Sequence, residues 1–536
     1  MTPSRSNPPA KDLRRRLLAT SAIAVLTAAL AVLTGVGPAA ATDDTPAGPA
    51  VSQPADCDAL ASLTLSETTA ISAALVTTGT AEEEADLPAF CRVGLTVQPA
   101  IQIQVWLPTD TYNGRFQAVG GGGYAGVISY PAMATALRAG YATASTDTGH
   151  VGTPLDGSFA LAAPGQLNGQ LIEDFASRSL FQMTEKAQTL VEEFYGEPAA
   201  YSYWNGCSTG GRQGLMLAQR LPDAYDGVLA AAPAINWDRF VPAGLWPQVV
   251  AQQELGGPIA PCKLDVATRA AVDQCDPLDG VVDGVLEDPR QCDFDATTLV
   301  GQQTECGVFT EADARVVNAT WEGARATDGS PLWYGLAPGA PLQALAGPEP
   351  FPIVEQYYRY WIAQDPNADW RKLGYAGFEQ VFHASQELFH DVLGTDDPDL
   401  SEFGHAGGKL LMWHGWNDQL IFPEGSIDYY ERVLDANGGL EDVQSFARLF
   451  MAPGVEHCSG GVGPNQFDMF DWLVAWVERG GAPERITASL VMEDGQVLRT
   501  RPLCLFPTVA GYNGEGNPDD AASFTCQPAE RGTRPE

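Results

Sequence analysis

Ser208 lies in Gly206-Cys207-Ser208-Thr209-Gly210, a match to the G-x-S-x-G turn that presents a nucleophilic serine. Tyr201, Tyr203 and Trp204 before it read as a strand. Leu215, Met216, Leu217 and Leu221 after it recur at helical spacing. Strand, turn and helix are the context the motif needs, because small flanking residues let the chain fold back tightly and lift the hydroxyl out of the sheet. The plainer alternative is an incidental serine in a glycine-rich turn.

A serine hydroxyl needs a histidine base, and the base needs an acid to orient it. The six histidines are His150, His383, His390, His405, His414 and His457. The order serine, acid, histidine points past the turn, and His457 alone also lies near the chain's end. It sits in a Pro/Gly loop, residues 451–458, after the apolar stretch 446–450. The acid is expected upstream at another strand end. Asp418 follows the apolar run 409–416, with an ordinary turn carboxylate as the alternative. His414 shares that turn and reads as a pocket or packing histidine rather than the base.

Cys207 precedes Ser208, and Cys458 follows His457. If serine and histidine meet, their neighbours come close enough for a disulfide. That bridge would close a loop of about 250 residues and stabilise the fold by on the order of 5 kcal/mol as an upper estimate.

With these residues in place, the sequence resembles the tannase/feruloyl esterase family of secreted α/β-hydrolases, which also contains bacterial hydrolases of mono(2-hydroxyethyl) terephthalate. The marker is Cys207-Ser208, Asp418 and His457-Cys458. Further landmarks are residues 87–93, the glycine run 120–126, Thr146-Asp147-Thr148-Gly149-His150, Gly211-Arg212-Gln213-Gly214 and Arg501-Pro502-Leu503-Cys504. The resemblance spans about Cys57 to Cys526. It implies an α/β fold, an α/β-hydrolase sheet core with a large inserted lid domain, and esters of aromatic acids as substrates. It also implies the pairs Cys57–Cys91, Cys207–Cys458, Cys275–Cys292 and Cys504–Cys526, which leaves Cys262 with Cys306 by elimination. The family usually has another cysteine shortly before the Cys306 position, where this chain reads Leu299-Val300-Gly301.

Acyl transfer builds an oxyanion that needs preorganised N–H donors. The Thr209 backbone N–H, just after the nucleophile, is one candidate. Gly122 or Gly123, in the loop after an early strand, is the other. A merely flexible turn is the alternative, and neighbouring glycines are not distinguished. Within residues 275–285, Asp276, Asp279 and Asp283 with two turn glycines suit a hard cation bound by oxygen, though not at EF-hand spacing. The resemblance places calcium here, on those three side chains and the Val281 and Val285 carbonyls. An acidic Asx-turn loop is the alternative.

The sequence has 536 residues, enough for a hydrolase core plus an insertion. Residues 1–41 read as a signal peptide, with basic Lys11, Arg14, Arg15 and Arg16, an apolar run 17–33 and small residues 39–41. A retained membrane anchor is the alternative, and a twin-arginine export signal matches poorly. Residues 42–55 read as a disordered linker. The core is expected over 56–236 and 406–530, with strands near 101–107, 116–119, 141–145 and 201–204. The lid domain is expected over 237–405, where the α/β rhythm is lost. Its Trp333, Tyr357, Tyr358, Tyr360 and Trp361 are either lid core or stacking partners for an aromatic acyl group.

Ten cysteines, an even number, fit export to an oxidising compartment. The formal charge of −37 argues against nucleic acid and anionic membranes as partners and favours a soluble extracellular protein. No His/Cys set has zinc-ligand spacing. The expected reaction is therefore serine-dependent hydrolysis of a small aromatic ester, feruloyl, galloyl or related, by a secreted enzyme of undetermined oligomeric state. The rivals are terephthalate half-esters or aliphatic substrates on the same residues and, more remotely, a non-catalytic binding protein on a hydrolase scaffold.

Overall fold

Unbroken buried runs such as Ala142–Thr146 and Gly227–Ala231 are what a sheet covered on both faces requires. The structure is a computed structural model and describes residues 55–77 and 87–529. The expected signal peptide, and the expected linker up to residue 54, lie outside the described residues, as does residue 530.

Nine strands form the central sheet: β1 Thr68–Val76, β2 Phe90–Val97, β3 Ile101–Pro108, β4 Arg115–Val119, β5 Ala142–Thr146, β6 Tyr201–Cys207, β7 Gly227–Ala231, β8 Lys409–Gly415 and β9 Ala447–Ala452. Their spatial order is β1-β2-β3-β5-β4-β6-β7-β8-β9. The pairs β1–β2, β2–β3 and β3–β5 are antiparallel, and every pair from β5 to β9 is parallel. In the parallel part Cys207 faces Ala231, Ala231 faces Trp413, and Gly415 faces Ala452. The carboxyl ends of four strands therefore open on one edge, where ligand sites of α/β sheets form.

The helices α1 (Tyr130–Arg138), α2 (Ser179–Tyr195) and α3 (Thr209–Arg220) connect the early strands. In α3, Arg212 is completely buried. It donates through Nε to the Leu393 carbonyl at 2.9 Å and through both terminal nitrogens to that of Ala176 at 3.1 Å. Burial lowers its pKa to about 9. The helix behind Ser208 is thereby tied to two other parts of the chain.

Between β7 and β8 the chain contributes no strand to the nine-stranded sheet. It instead forms helices beginning with α4 (Trp237–Ala243) and including Trp246–Leu255, Pro261–Cys275, Glu311–Glu322 and Tyr375–Leu393. Their apolar core is continuous with residues that precede the serine turn. Tyr124 lies 5.9 Å from Trp361, and Phe175 lies 5.5 Å from Trp237, ring centre to ring centre. After the insertion come β8, α5 (Pro423–Ala436), β9, α6 (Met469–Arg479) and two antiparallel hairpins that close the described chain.

Five disulfides join Cys57–Cys91, Cys207–Cys458, Cys262–Cys306, Cys275–Cys292 and Cys504–Cys526, and no cysteine among the described residues is free.

Candidate active site

Ser208 stands between the end of β6 and the start of α3 with φ 63° and ψ −123°, a backbone conformation that costs energy in a non-glycine residue. Its neighbours enforce it. The Ser208 N–H donates to the Ala231 carbonyl at 3.0 Å, and the Ser208 carbonyl accepts from Arg212 N at 3.0 Å and Ala234 N at 3.1 Å. A Cβ on Gly206 would fall 2.5 Å from the Gly210 backbone, so the first glycine of the motif is a packing requirement.

The glycine run after β4 lies against this turn. Thr209 Oγ1 donates to the Gly123 carbonyl at 2.7 Å, and Gly121 N donates to Gln213 Oε1 at 3.0 Å. Gly123 has φ +53°, and a Cβ there would sit 2.1 Å from the Pro154 carbonyl oxygen. Among the described residues neither the Gly122 nor the Gly123 N–H meets a protein acceptor. Thr209 opens α3, so its own N–H has no intrahelical acceptor. These three residues line one cavity with Ser208 and His457.

His457 follows β9, and its Nδ1 lies 2.7 Å from Asp418 Oδ2. Its backbone N–H donates to Gln419 Oε1 at 3.1 Å. Asp418, in the turn after β8, is completely buried, and its Oδ1 accepts from Leu420 N and Ile421 N, each at 2.9 Å. Burial by itself raises the pKa of this carboxyl. The charge on His457 and hydrogen bonds from His414 and His457 outweigh burial and hold it well below the usual carboxylate range. No hydrogen bond joins Ser208 to His457 among the described residues. Such bonds often tighten only when substrate is present.

His414 is not a pocket residue. It is completely buried inside β8, absent from the cavity lining, and bonded to Asp418 Oδ2 at 3.0 Å and Ser426 Oγ at 2.8 Å. Ser426 of α5 and Asp418 in the turn after β8 take its two nitrogens, so the ring packs inside the protein rather than facing the cavity. The aromatic residues singled out in the insertion also lie elsewhere. Trp333, Tyr357 and Trp361 pack in the insertion's core, with half-buried Tyr358 and Tyr360 against it, and Trp361 Nε1 donates to the Gly157 carbonyl at 3.0 Å. The aromatic walls of the cavity are Trp237 and Phe240 of α4 with Phe351. Val241, Ile353, Val354, Leu420 and Ile421 are among the apolar residues that line, with them, a space of about 320 Å³, within the usual range for small-molecule sites. Position beside Asp418 could have flagged Leu420 and Ile421. Nothing in the sequence marks which aromatics of the insertion reach the serine.

The acidic loop folds on itself. Asp276 accepts from Asp283 N at 3.2 Å and Gly284 N at 2.9 Å, and Asp279 accepts from Val281 N at 2.9 Å and Glu287 N at 3.2 Å. Asp283 accepts from Val285 N at 3.0 Å and pairs with Arg499 at 3.0 Å and with Arg501. Among the described residues no three His, Cys, Asp or Glu side chains converge into a metal-ligating cluster. The donor chemistry suits a hard cation all the same, since every donor is oxygen and carboxylate oxygens keep lone pairs beyond these bonds.

A mostly parallel sheet with a serine at a strained strand–helix turn, and an Asp–His pair on later strand-end loops, is the architecture of an α/β-hydrolase. The chain belongs to the tannase and feruloyl esterase family, whose family model matches residues 87–356 and 351–527. It is 40% identical over 460 residues to a probable feruloyl esterase of Arthroderma benhamiae, covering 82% of this chain and 85% of that one. It is 31% identical over 512 residues to mono(2-hydroxyethyl) terephthalate hydrolase of Piscinibacter sakaiensis, covering 81% and 83%. The crystal structure of feruloyl esterase B from Aspergillus oryzae superposes with a TM-score of 0.78 at 28% identity, covering 88% of this chain and 100% of that one. The chain is a carboxylic ester hydrolase.

Proposed function

We propose that the chain cleaves esters of methoxylated or otherwise weakly polar phenolic acids, feruloyl esters foremost, through an acyl-enzyme on Ser208. Ser208 Oγ attacks the ester carbonyl as its proton passes to His457 Nε2. Asp418 holds the imidazole through Nδ1–H and stabilises the imidazolium. The Thr209 N–H, with that of Gly122 or Gly123, receives the oxyanion. The tetrahedral intermediate collapses with transfer of the His457 proton to the departing alcohol. Water, deprotonated by His457, then attacks the acyl-enzyme and releases acid and free serine. The relatives' names support the substrate class.

The cavity wall carries the choice within that class. Its lining contains no Lys or Arg, and its polar side chains are Ser208, Thr209 and His457. A terephthalate half-ester would bury its free carboxylate there unpaired, at a cost of several kcal/mol. The three hydroxyls of a galloyl group would also lose water without new partners. The test is kcat/KM across methyl ferulate, methyl gallate, a short aliphatic ester and a terephthalate half-ester. Methyl ferulate should lead and the half-ester should trail; preference for the half-ester would defeat the assignment.

Calcium in the acidic loop belongs to the same reading. Asp276, Asp279, Asp283 and the Val281 and Val285 carbonyls would hold it. Burial, with added repulsion from Asp283 and Asp276, raises the Asp279 carboxyl to about 6. A bound cation would favour its ionised form and tie the loop together. Export supports the whole reading and is itself supported by the five disulfides. No helix among the described residues is long and apolar enough to cross a membrane.

A further inference from the structure

We infer that His414 is a positioning residue for the reaction: its Nε2–H anchors the Asp418 carboxylate that orients His457. This rests on the reading of Ser208, His457 and Asp418 proposed above, and it concerns a histidine that neither touches substrate nor faces the cavity.

Asp418 Oδ2 is shared by two imidazoles, His457 Nδ1 at 2.7 Å and His414 Nε2 at 3.0 Å, while Oδ1 is taken by the two backbone amides of Leu420 and Ile421. An ionised carboxylate only accepts hydrogen bonds, so each imidazole nitrogen facing it must donate. In the tautomer that carries its proton on Nε2, His414 Nδ1 accepts from the Ser426 hydroxyl at 2.8 Å, which fixes the ring. His414 belongs to β8, where it pairs with Met451 of β9, and Ser426 belongs to α5. The carboxylate is thus tied to a central strand and, through Ser426, to a helix. The histidine it orients sits on a loop. When His457 takes the serine proton, Asp418 must stay ionised and in place, and a second donor on the same oxygen serves both needs. A ring present only to fill the core would require neither nitrogen to be bonded to these partners.

The experiment compares His414→Leu, His414→Gln and Ser426→Ala in the full chain with methyl ferulate, alongside Ser208→Ala. His414→Leu should lower kcat about ten-fold or more with KM within about two-fold. His414→Gln, whose amide reaches the Nε2 position, should recover most of that loss. Wild type should also show a low-field proton resonance for the His457 Nδ1–H that shifts in His414→Leu and returns in His414→Gln. Unchanged kcat in His414→Leu, or equal losses in the Leu and Gln variants, would overturn the inference. Should His414→Leu fail to fold, Ser426→Ala decides. A fall in kcat of about three-fold or more at constant KM supports the inference, and wild-type kcat refutes it. Full activity in Ser208→Ala would instead defeat the underlying mechanism.

Discussion

Cys207 and Cys458 are joined by a disulfide with their Cα atoms 5.9 Å apart, and each is the chain neighbour of a cavity residue proposed for the reaction, Ser208 or His457. The bridge spans 251 residues of sequence and fastens the loop after β9 to the turn after β6. A short covalent strut therefore holds His457 in the cavity wall that Ser208 shares.

Replacing both cysteines, Cys207→Ala with Cys458→Ala, should cost rate as well as stability. Loss of the long loop closure costs at most on the order of 5 kcal/mol, and a displaced base should lower kcat by roughly 10-fold or more even where the variant remains folded. Breaking Cys504–Cys526, in the C-terminal hairpins, should lower the melting temperature with little change in kcat. Parallel melting curves and kcat values for the two double variants check this.

Asp418→Asn should lower kcat by about 10³–10⁴-fold, because the amide disturbs the tautomer and orientation of His457. Its effect on stability has a definite pH dependence. The folded-state pKa of Asp418 is depressed, so its stabilisation is present above the unfolded pKa and is lost as pH falls through the lower folded value. The stability gap between wild type and Asp418→Asn should therefore narrow as pH drops below about 4. Chemical denaturation at several pH values measures it, and a gap that widens in acid would contradict the assignment.

Ile353→Arg should change substrate preference. Ile353 lies in the cavity wall, and its Cδ1 stands 3.2 Å from where a Gly123 Cβ would be. A cation there should raise kcat/KM for the terephthalate half-ester by roughly 10-fold and lower it for methyl ferulate. The ratio of the two specificity constants is the readout.

Removing calcium with a strong chelator should lower Tm by roughly 2–5 °C and leave the kcat of the surviving folded enzyme nearly unchanged, since a cation that binds only the folded state stabilises it by mass action. Elemental analysis of the purified protein should find calcium. An unchanged Tm with no bound calcium would remove the proposed site.

Much of this was legible in the sequence because the chemistry is local there. Gly206 and Gly210 are needed by a turn whose strain is visible in the motif, and the cysteines beside Ser208 and His457 report a contact that spacing alone would hide. The strand around residues 101–107 could be read from alternation, and the fully buried β7 offered no such rhythm. The sequence does not separate a pocket from a packing role for His414, because a histidine in an apolar strand gives no sign of what covers it; burial against Ser426 and Asp418 does. The cavity walls were hidden for a similar reason. Trp237 and Trp361 both belong to the insertion, yet tertiary packing puts one at the serine and the other in the insertion's core.

The most direct test of the mechanism is to quench the enzyme in acid during turnover of methyl ferulate and map the acylated peptide by mass spectrometry. A hydroxyl held beside a histidine base and N–H donors forms a covalent acyl-enzyme. The predicted result is a feruloyl ester on Ser208 that is absent from Ser208→Ala. A feruloyl group on another residue, or turnover that continues in Ser208→Ala, would contradict it.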